Sequence, residues 1–394
     1  MISLVIPTYQ ESDVIEATLR RAAAALARTG EEYELIVVDD SGPGDPTAAR
    51  AEALAPEIPV RVVQRARRQG LATAVVEGWK AARGDVWGVM DADLQHPPEV
   101  VVRLMEALRR PGVDIAIASR HVKGGASLRW PRRRRAVSWA STHLAACVLP
   151  WTLARVRDPM SGMFLMRARV LEGIELNPLG YKILLEVLGC GHWRGLAEVP
   201  YGFERRGLGH SKLGWRQSAE YLVHLLQLAR ATGQLRTWLR YATVGLSGAL
   251  LDVGIFYLLV GGGTWHPAAA VAVAIELALL SNFAWNQTLT FRRSEDLGPL
   301  PPARLLRVLL SYQRACLAGA ILNAAVTIGS IARGVTPALA AALGVVAGGV
   351  WNLVFNVPRI WQSWACTLPP RAGQPPSRRA EAAPVNTLPG KVRW

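Results

Sequence analysis

The chain has 394 residues, 45 Lys and Arg against 30 Asp and Glu, and a formal charge of +15. A hydrophobic share of 51% excludes an intrinsically disordered protein, and four Cys in this length exclude a disulfide-stapled mini-protein. The apolar residues are unevenly spread: between Tyr241 and Ile360 the only acids are Asp252, Glu276, Glu295 and Asp296, so a soluble part precedes a membrane part.

In chain order, Ile2–Pro7 reads as a buried strand and Ser12–Arg28 as a helix. Glu34–Asp40 is a second strand ending in two acids, and Val60–Gln64 a third. Gln69–Ala82 is helical, Val86–Asp91 is a fourth strand, and Pro97–Arg109 is a helix with its prolines in the first turn. Val113–Ser119 is a fifth strand. Strands alternating with helices predict an α/β fold with a mainly parallel, Rossmann-like sheet covered on both faces. Gly214–Trp238 carries Tyr221, Leu222, Leu225, Leu226 and Leu228 largely on one helical side, which predicts either a membrane-surface helix or one packed on the soluble core.

Four apolar stretches follow: Tyr241–Val260, Ala268–Leu289, Ala315–Ala332 and Val335–Val357. Each is close to the roughly 20 residues that cross a bilayer as a helix, so the membrane part is an all-α, four-helix domain. Arg292, Arg293, Arg304 and Arg307 lie between the second and third stretches, and Arg359, Arg371, Arg378 and Arg379 follow the fourth. Positive loops stay inside, which puts both termini and the soluble part in the cytoplasm. Trp238, Tyr241, Trp265, Trp361 and Trp364 sit near stretch ends, as interfacial aromatics do. Met1–Pro7 is too short for a signal-peptide core, and the spacing of the Cys residues argues for neither zinc nor disulfides. Asp252 and Glu276 are costly in lipid and are expected to face the bundle interior or an aqueous path.

Ligands of such sheets bind at the carboxyl ends of the strands. Those ends read Thr8-Tyr-Gln-Glu11, Asp39-Asp-Ser-Gly42, Asp91-Ala-Asp-Leu-Gln-His96 and Ser119-Arg120. No dinucleotide glycine fingerprint follows the first strand, which argues against a dehydrogenase. Asp91 and Asp93 can share one hard cation such as Mg2+, with Gln95 as a third oxygen donor. The plainer reading is that Asp93 or His96 caps the next helix.

Residues 1–215 resemble the dolichol-phosphate mannosyltransferases, within glycosyltransferase family two and its GT-A fold. The carriers are Val5-Ile-Pro-Thr-Tyr-Gln-Glu11, Val38-Asp-Asp-Ser41, Arg68-Gln-Gly-Leu-Ala-Thr-Ala74, Met90-Asp-Ala-Asp-Leu-Gln-His-Pro-Pro98, Ala118-Ser-Arg120, Asp158-Pro-Met-Ser-Gly-Met-Phe164, Gly180-Tyr-Lys182 with Glu186, and Pro200-Tyr-Gly-Phe-Glu-Arg-Arg206 through Leu213. Gln10 and Gly42-Pro-Gly-Asp45 depart from the family pattern without removing an acid. Residues 236–362 resemble the GtrA-like membrane domains through Leu239-Arg-Tyr-Ala-Thr-Val-Gly245, Ser281-Asn-Phe-Ala-Trp-Asn286 and Asn352-Leu-Val-Phe-Asn356.

The resemblance implies four regions: a catalytic domain over 1–213, juxtamembrane helices over 214–238, a GtrA-like domain over 239–362 and a basic, Pro-rich tail over 363–394. It implies inverting transfer of mannose from GDP-mannose to a polyprenyl or dolichyl phosphate. Pro7, Tyr9, Glu11, Asp39, Asp40 and Asp91 would bind the nucleotide, and Asp91, Asp93 and Gln95 would hold Mg2+ or Mn2+. Arg120, Arg206 and Lys212 would contact phosphate, and Asp91, Asp93, Arg120 and Arg206 would carry the catalysis. Ser138 and one basic residue of the run Arg132–Arg135, Arg133 or Arg134, would meet the acceptor beside membrane lipid. A homo-oligomer through the membrane domain is compatible with this reading, and a nucleic-acid partner is not expected. A glucosyltransferase using UDP-glucose differs only in its donor, and a lipid-linked sugar flippase or scaffold is the rival of another class. The Gln-x-x-Arg-Trp string expected of a processive polysaccharide synthase is not found in the sequence.

Overall fold

The computed structural model describes residues 1–125, 132–153, 156–203, 215–262, 265–290 and 302–352. The expected alternation is present as β1 (Ile2–Thr8), α1 (Ile15–Ala27), β2 (Tyr33–Asp39), α2 (Thr47–Glu52), β3 (Val60–Gln64), α3 (Leu71–Ala81), β4 (Val86–Val89), α4 (Val100–Leu108) and β5 (Ile115–Ser119). The chain then adds α5 (Arg132–Val148), α6 (Pro150–Leu153), β6 (Phe164–Arg167), α7 (Ile183–Cys190), β7 (Leu196–Pro200) and α8 (Trp215–Ala231).

The seven strands lie in the order β3-β2-β1-β4-β6-β5-β7. All neighbours run parallel except β6, which is antiparallel to both β4 and β5. β1 is buried at every residue, as a strand covered on both faces must be, and its apolar run ISLVI reflects this. One core layer under α1 and α4 contains Leu4, Leu19, Leu35 and Leu104, and the other, under α3, α7 and α8, contains Val5, Val75, Phe164, Leu185 and Leu225.

Two features of this topology place the site. The chain leaves β1 toward β2 on one side while β4 lies on the other, which opens a crevice at their carboxyl ends. Because β6 runs backwards, the segment entering it, Asp158–Met163, arrives at that same edge.

The helix expected over 214–238 divides its apolar residues between two surfaces. Tyr221, Leu225, Leu228 and Ala229 on α8 are buried in the soluble core, whereas Leu222, Val223 and Leu226 are exposed. The Tyr221 hydroxyl donates to the Ser141 carbonyl on α5 at 2.7 Å, and α5 in turn exposes Val137, Trp139 and Leu144.

The membrane part comprises α9 (Gln234–Gly261), α10 (Pro267–Trp285, extended by a π-turn over Asn286–Thr290), α11 (Pro302–Ile331) and α12 (Pro337–Trp351). The first three are long and apolar enough to cross a membrane. α12 is a shorter apolar helix, and the last residues of the expected fourth span lie outside the described residues, as does the tail. Asp252 is buried, as expected of an intramembrane acid, but Glu276 is exposed on the bundle and accepts from Gln313 Nε2 at 2.6 Å.

Candidate active site

The carboxyl ends of β1 and β2 form the first wall. Asp39 is fully buried, and its Oδ1 accepts from Thr8 Oγ1 at 2.9 Å and Ser41 Oγ at 2.6 Å. Its Oδ2 is buried with no partner among the described residues. A buried carboxylate oxygen without a donor is costly, so this atom is suited to a ligand N–H or O–H. Tyr9 is half-buried with the Arg68 guanidinium 4.1 Å above its ring. Pro7 is buried in β1, while the Glu11 N–H donates to Thr47 Oγ1 at 3.2 Å.

Asp40 serves a different purpose from the nucleotide contact expected of it. Its two oxygens accept the backbone N–H groups of Gln69 (2.9 and 3.1 Å) and Gly70 (2.7 Å), and Arg65 donates at 3.2 Å. The carboxylate is thereby spent on holding the loop that carries Arg68. Gly70 has φ 101°, a left-handed value that a side chain would resist.

The turn after β4 forms the floor. Asp91 has a side chain 30% exposed, and Asp93 is nearly buried with its Oδ1 accepting the Gln95 N–H at 3.0 Å. Leu94 sits at φ 58°, a conformation that non-glycine residues adopt at some energetic cost and that is frequent at functional turns. Thr18 Oγ1 on α1 donates to the Ala92 carbonyl at 2.8 Å and pins the turn from behind. His96 is buried with its Nδ1 3.6 Å from Asp91 Oδ2, and its ring stacks on Tyr201 and meets Phe203 edge-on. Burial pushes the imidazole down to about 4, so the ring is neutral near pH 7.

Gly162, on the segment entering β6, presses on the other side of Asp91. A Cβ there would stand 2.2 Å from Asp91 Oδ2. The hydrogen atom of Gly162 thus leaves the room in which the carboxylate sits. Asp91, Asp93 and Gln95 offer hard oxygen donors of the kind Mg2+ and Mn2+ take, so the residues present fit a divalent cation. Among the described residues no group of three or more His, Cys, Asp or Glu could bind a metal unaided. Any such ion would therefore complete its shell with the Gln95 amide, water or ligand oxygens.

Arg120 is at this edge, but its donors are largely committed. Its Nε and NH2 donate to Asp158 Oδ2 and Oδ1 at 2.8 and 2.7 Å, and its backbone N–H donates to Oδ2 at 2.9 Å. Burial works against both charges, yet the pairing prevails: the Arg120 guanidinium is held above its ordinary range and the Asp158 carboxyl below its own. This fork orients the loop from Asp158 to Gly162, which Glu198 on β7 also grips through the N–H groups of Arg157 and Asp158, both at 3.0 Å. Lys182 Nζ donates to the Met160 carbonyl at 3.2 Å. Arg120 therefore acts on the loop first, where the sequence pointed to a direct phosphate contact. Ser138 lies on α5, half-buried. Arg206 and Lys212 lie outside the described residues, as do the side chains of Arg133 and Arg134.

Residues 3–174 match the family Glycosyl transferase family 2, and residues 240–361 match the GtrA/DPMS transmembrane domain. The chain is 41% identical over 322 residues to the dolichol-phosphate mannosyltransferase of Pyrococcus furiosus, covering 82% of this chain and 88% of that one. The chain belongs to the dolichol-phosphate mannosyltransferase family. A second relative, the undecaprenyl-phosphate mannosyltransferase of Micrococcus luteus, is 34% identical over 56% of this chain and 90% of its own. Among solved structures, glucosyl-3-phosphoglycerate synthase of Mycobacterium tuberculosis, crystallised with Mn2+ and UDP-glucose, covers 58% of this chain and 79% of its own at 24% identity and a TM-score of 0.44, a loose likeness. The chain is thus a glycosyltransferase in an integral membrane protein, with a GT-A catalytic domain and a helical GtrA-type domain.

Asp39, Asp91, Asp93 and Gln95, named from the sequence as strand-end groups, lie at one edge in the structure. From the sequence, Asp158, Gly162 and Tyr201 carry no assigned role, and His96 only that of a helix cap. All four were inside the quoted motifs, but only the antiparallel course of β6 reveals that Gly162 and Asp91 touch.

Proposed function

We propose that this protein transfers mannose from GDP-mannose to a polyprenyl phosphate, with inversion, at the cytoplasmic face of the membrane. The observation that carries the reading is the edge itself. An unpartnered buried carboxylate oxygen on Asp39, suited to the N–H groups of a nucleobase, stands at one end. At the other stand the paired carboxylates of Asp91 and Asp93, suited to a metal-bound diphosphate.

Asp39 and the Tyr9–Arg68 stack bind and orient the nucleoside. Asp91, Asp93 and Gln95 would hold Mg2+ or Mn2+, which when bound neutralises charge on the leaving diphosphate. The acceptor phosphate is already ionised near neutral pH, so its oxygen attacks the anomeric carbon without a strong base. The bond from that carbon to the diphosphate breaks on the opposite face, and GDP departs with its electron pair. The transition state has oxocarbenium character. Arg120 and Asp158 keep the Asp158–Gly162 loop against Asp91, while Arg206, Lys212 and the α5 arginines would receive the acceptor phosphate.

The Arg-rich loop between the second and third spans supports a cytoplasmic catalytic domain and four spans. The exposed Val137, Trp139, Leu222 and Leu226 support seating of α5 and α8 in the lipid surface.

The test is a donor screen with purified protein and polyprenyl phosphate in detergent. GDP-mannose should give a mannosyl lipid, chelation should stop the reaction, and Mg2+ or Mn2+ should restore it. Transfer of glucose from UDP-glucose in its place would overturn the donor assignment, and full turnover in chelator would overturn the metal.

A further inference from the structure

We propose that the membrane domain is an internal duplication: two equivalent two-helix hairpins, α9–α10 and α11–α12, paired across a pseudo-two-fold axis that passes between Asp252 and Asn323. The repeat is a long-period one, at about 70 residues, and is masked in sequence by generic apolar composition. Aligned this way, Ser247-Gly-Ala-Leu-Leu-Asp252 matches Ala318-Gly-Ala-Ile-Leu-Asn323, and Tyr241 matches Tyr312. Pro267, the first residue of α10, matches Pro337, the first of α12, and Asn282-Phe-Ala-Trp-Asn286 matches Asn352-Leu-Val-Phe-Asn356.

Apolar helices resemble one another by chance, so the structure must decide. Burial agrees at the positions that pack the hairpins. Gly248, Asp252 and Phe256 are buried on α9, as are their equivalents Gly319, Asn323 and Thr327 on α11. Ala270, Val271, Ala274 and Ala278 are buried on α10, and their equivalents Ala340, Ala341, Gly344 and Gly348 are the buried residues of α12. Leu246 and Leu250 are exposed, and so are Leu317 and Ile321.

The internal joints of the hairpins also agree. A Cβ on Gly248 would meet the Asn282 amide at 2.2 Å, and a Cβ on Gly319 would meet the Asn352 amide at 2.4 Å. In each hairpin, then, an Asn of the second helix seats on a Gly of the first. α12 packs on α9 as α10 packs on α11, which is the exchange a two-fold requires.

At the axis of a two-fold interface a residue meets its own equivalent. Asn323 Nδ2 donates to Asp252 Oδ2 at 2.9 Å, and the two are such equivalents. Asp252 precedes the end of α9 by about 13 Å, and Asn323 precedes the end of α11 by about 12 Å, so they share a depth. Thr327 Oγ1 donates to Asn323 Oδ1 at 3.1 Å, and Gly344 closes over both with no space for a Cβ. The pair is a packed, satisfied joint. The pair itself is asymmetric, Asp on one hairpin and Asn on the other, with Thr327 beside Asn323 where α9 has Phe256; this lets one side donate and the other accept, and so favours pairing of unlike hairpins.

The test exchanges the two residues in the full-length protein. Asn323→Asp alone sets two carboxylates face to face and should lower the detergent melting temperature by several degrees. The double variant Asp252→Asn with Asn323→Asp restores donor and acceptor in mirror image and should recover most of that loss. Asp252→Asn alone retains an amide pair and should be mild. Should Asn323→Asp fail to accumulate at all, recovery of folded protein by the double variant is the same readout. A double variant no better than Asn323→Asp would mean that the two positions are not equivalent, and the duplication would fall.

Discussion

Gly162→Ala tests the catalytic edge with a single methyl group. The new Cβ would stand 2.2 Å from Asp91 Oδ2, 2.8 Å from its Cγ and 3.1 Å from its Oδ1. Carbon and oxygen do not approach this closely, so the carboxylate must retreat by about 1 Å, a displacement that can cost on the order of 100-fold in rate at a reacting centre. Gly162 has no positive φ, so Ala is allowed by its backbone. The Asp91 side chain is 30% exposed and has somewhere to go. The strain on the fold should therefore stay within the roughly 1–3 kcal/mol of an overpacked site. The assay is mannosyl transfer in detergent at saturating GDP-mannose, with Mn2+ titrated and the melting temperature measured in parallel. The expected pattern is a fall in turnover of about two orders of magnitude, a higher Mn2+ requirement and a melting point lowered by a few degrees. Turnover equal to the parent protein would refute the placement of Asp91 as a catalytic carboxylate.

Asp39→Ala should weaken GDP binding by roughly 10–100-fold, the value of a hydrogen bond to a charged group, as read by calorimetry. Asp158→Ala removes the carboxylate that pairs with buried Arg120 and should cost about 3–5 kcal/mol in denaturant unfolding. The folded Asp158 carboxyl titrates below its ordinary value of 3.8, so its stabilisation is present above that value and lost as pH falls through the lower, folded one. Acid unfolding of the parent should accordingly be steeper below about pH 4 than that of Asp158→Asn. Replacing Leu222 and Leu226 together by Ser should leave turnover in detergent intact and reduce transfer to acceptor in vesicles several-fold, and equal activity in both would detach α8 from the membrane surface.

The five early strands were legible because each is a short apolar run ending in polar residues, and burial on both faces of β1, β2 and β5 leaves no alternation to confuse them. β6 and β7 were not. Phe164-Leu-Met-Arg167 is as short as β4 but has no acid at its end to mark it, and Leu196-Ala-Glu-Val-Pro200 is only partly buried. Residue type also misled where chemistry is ambiguous. Asp39 and Asp40 are adjacent acids at one strand end, yet one keeps an oxygen without a partner and the other is consumed by two backbone N–H groups and Arg65. Strand alternation turns neighbouring side chains to opposite faces, and only three-dimensional contacts tell which face carries the ligand. Arg120 is a similar case: the motif located it, but Asp158, far along the chain, set its task.

The junction between the two parts shows the same limit. Composition placed a boundary at Arg240, where charge thins out, but α9 runs unbroken from Gln234 to Gly261. Its first turns belong to the catalytic domain by contact. Gln234 is buried and donates to Thr152 Oγ1 at 2.9 Å, Leu235 packs on the catalytic core, and Trp238 Nε1 donates to the Val148 carbonyl at 3.1 Å. A helix that is core at one end and membrane span at the other transmits position rather than tethering loosely. Hinge motion there would have to break the Gln234 and Trp238 bonds and unpack Leu235, roughly 1 kcal/mol for each bond plus the apolar burial. The catalytic edge is thus held in a set position relative to the first apolar helix. That suits a reaction whose acceptor phosphate is itself confined to the membrane surface, because the geometry that matters is fixed before the substrate arrives.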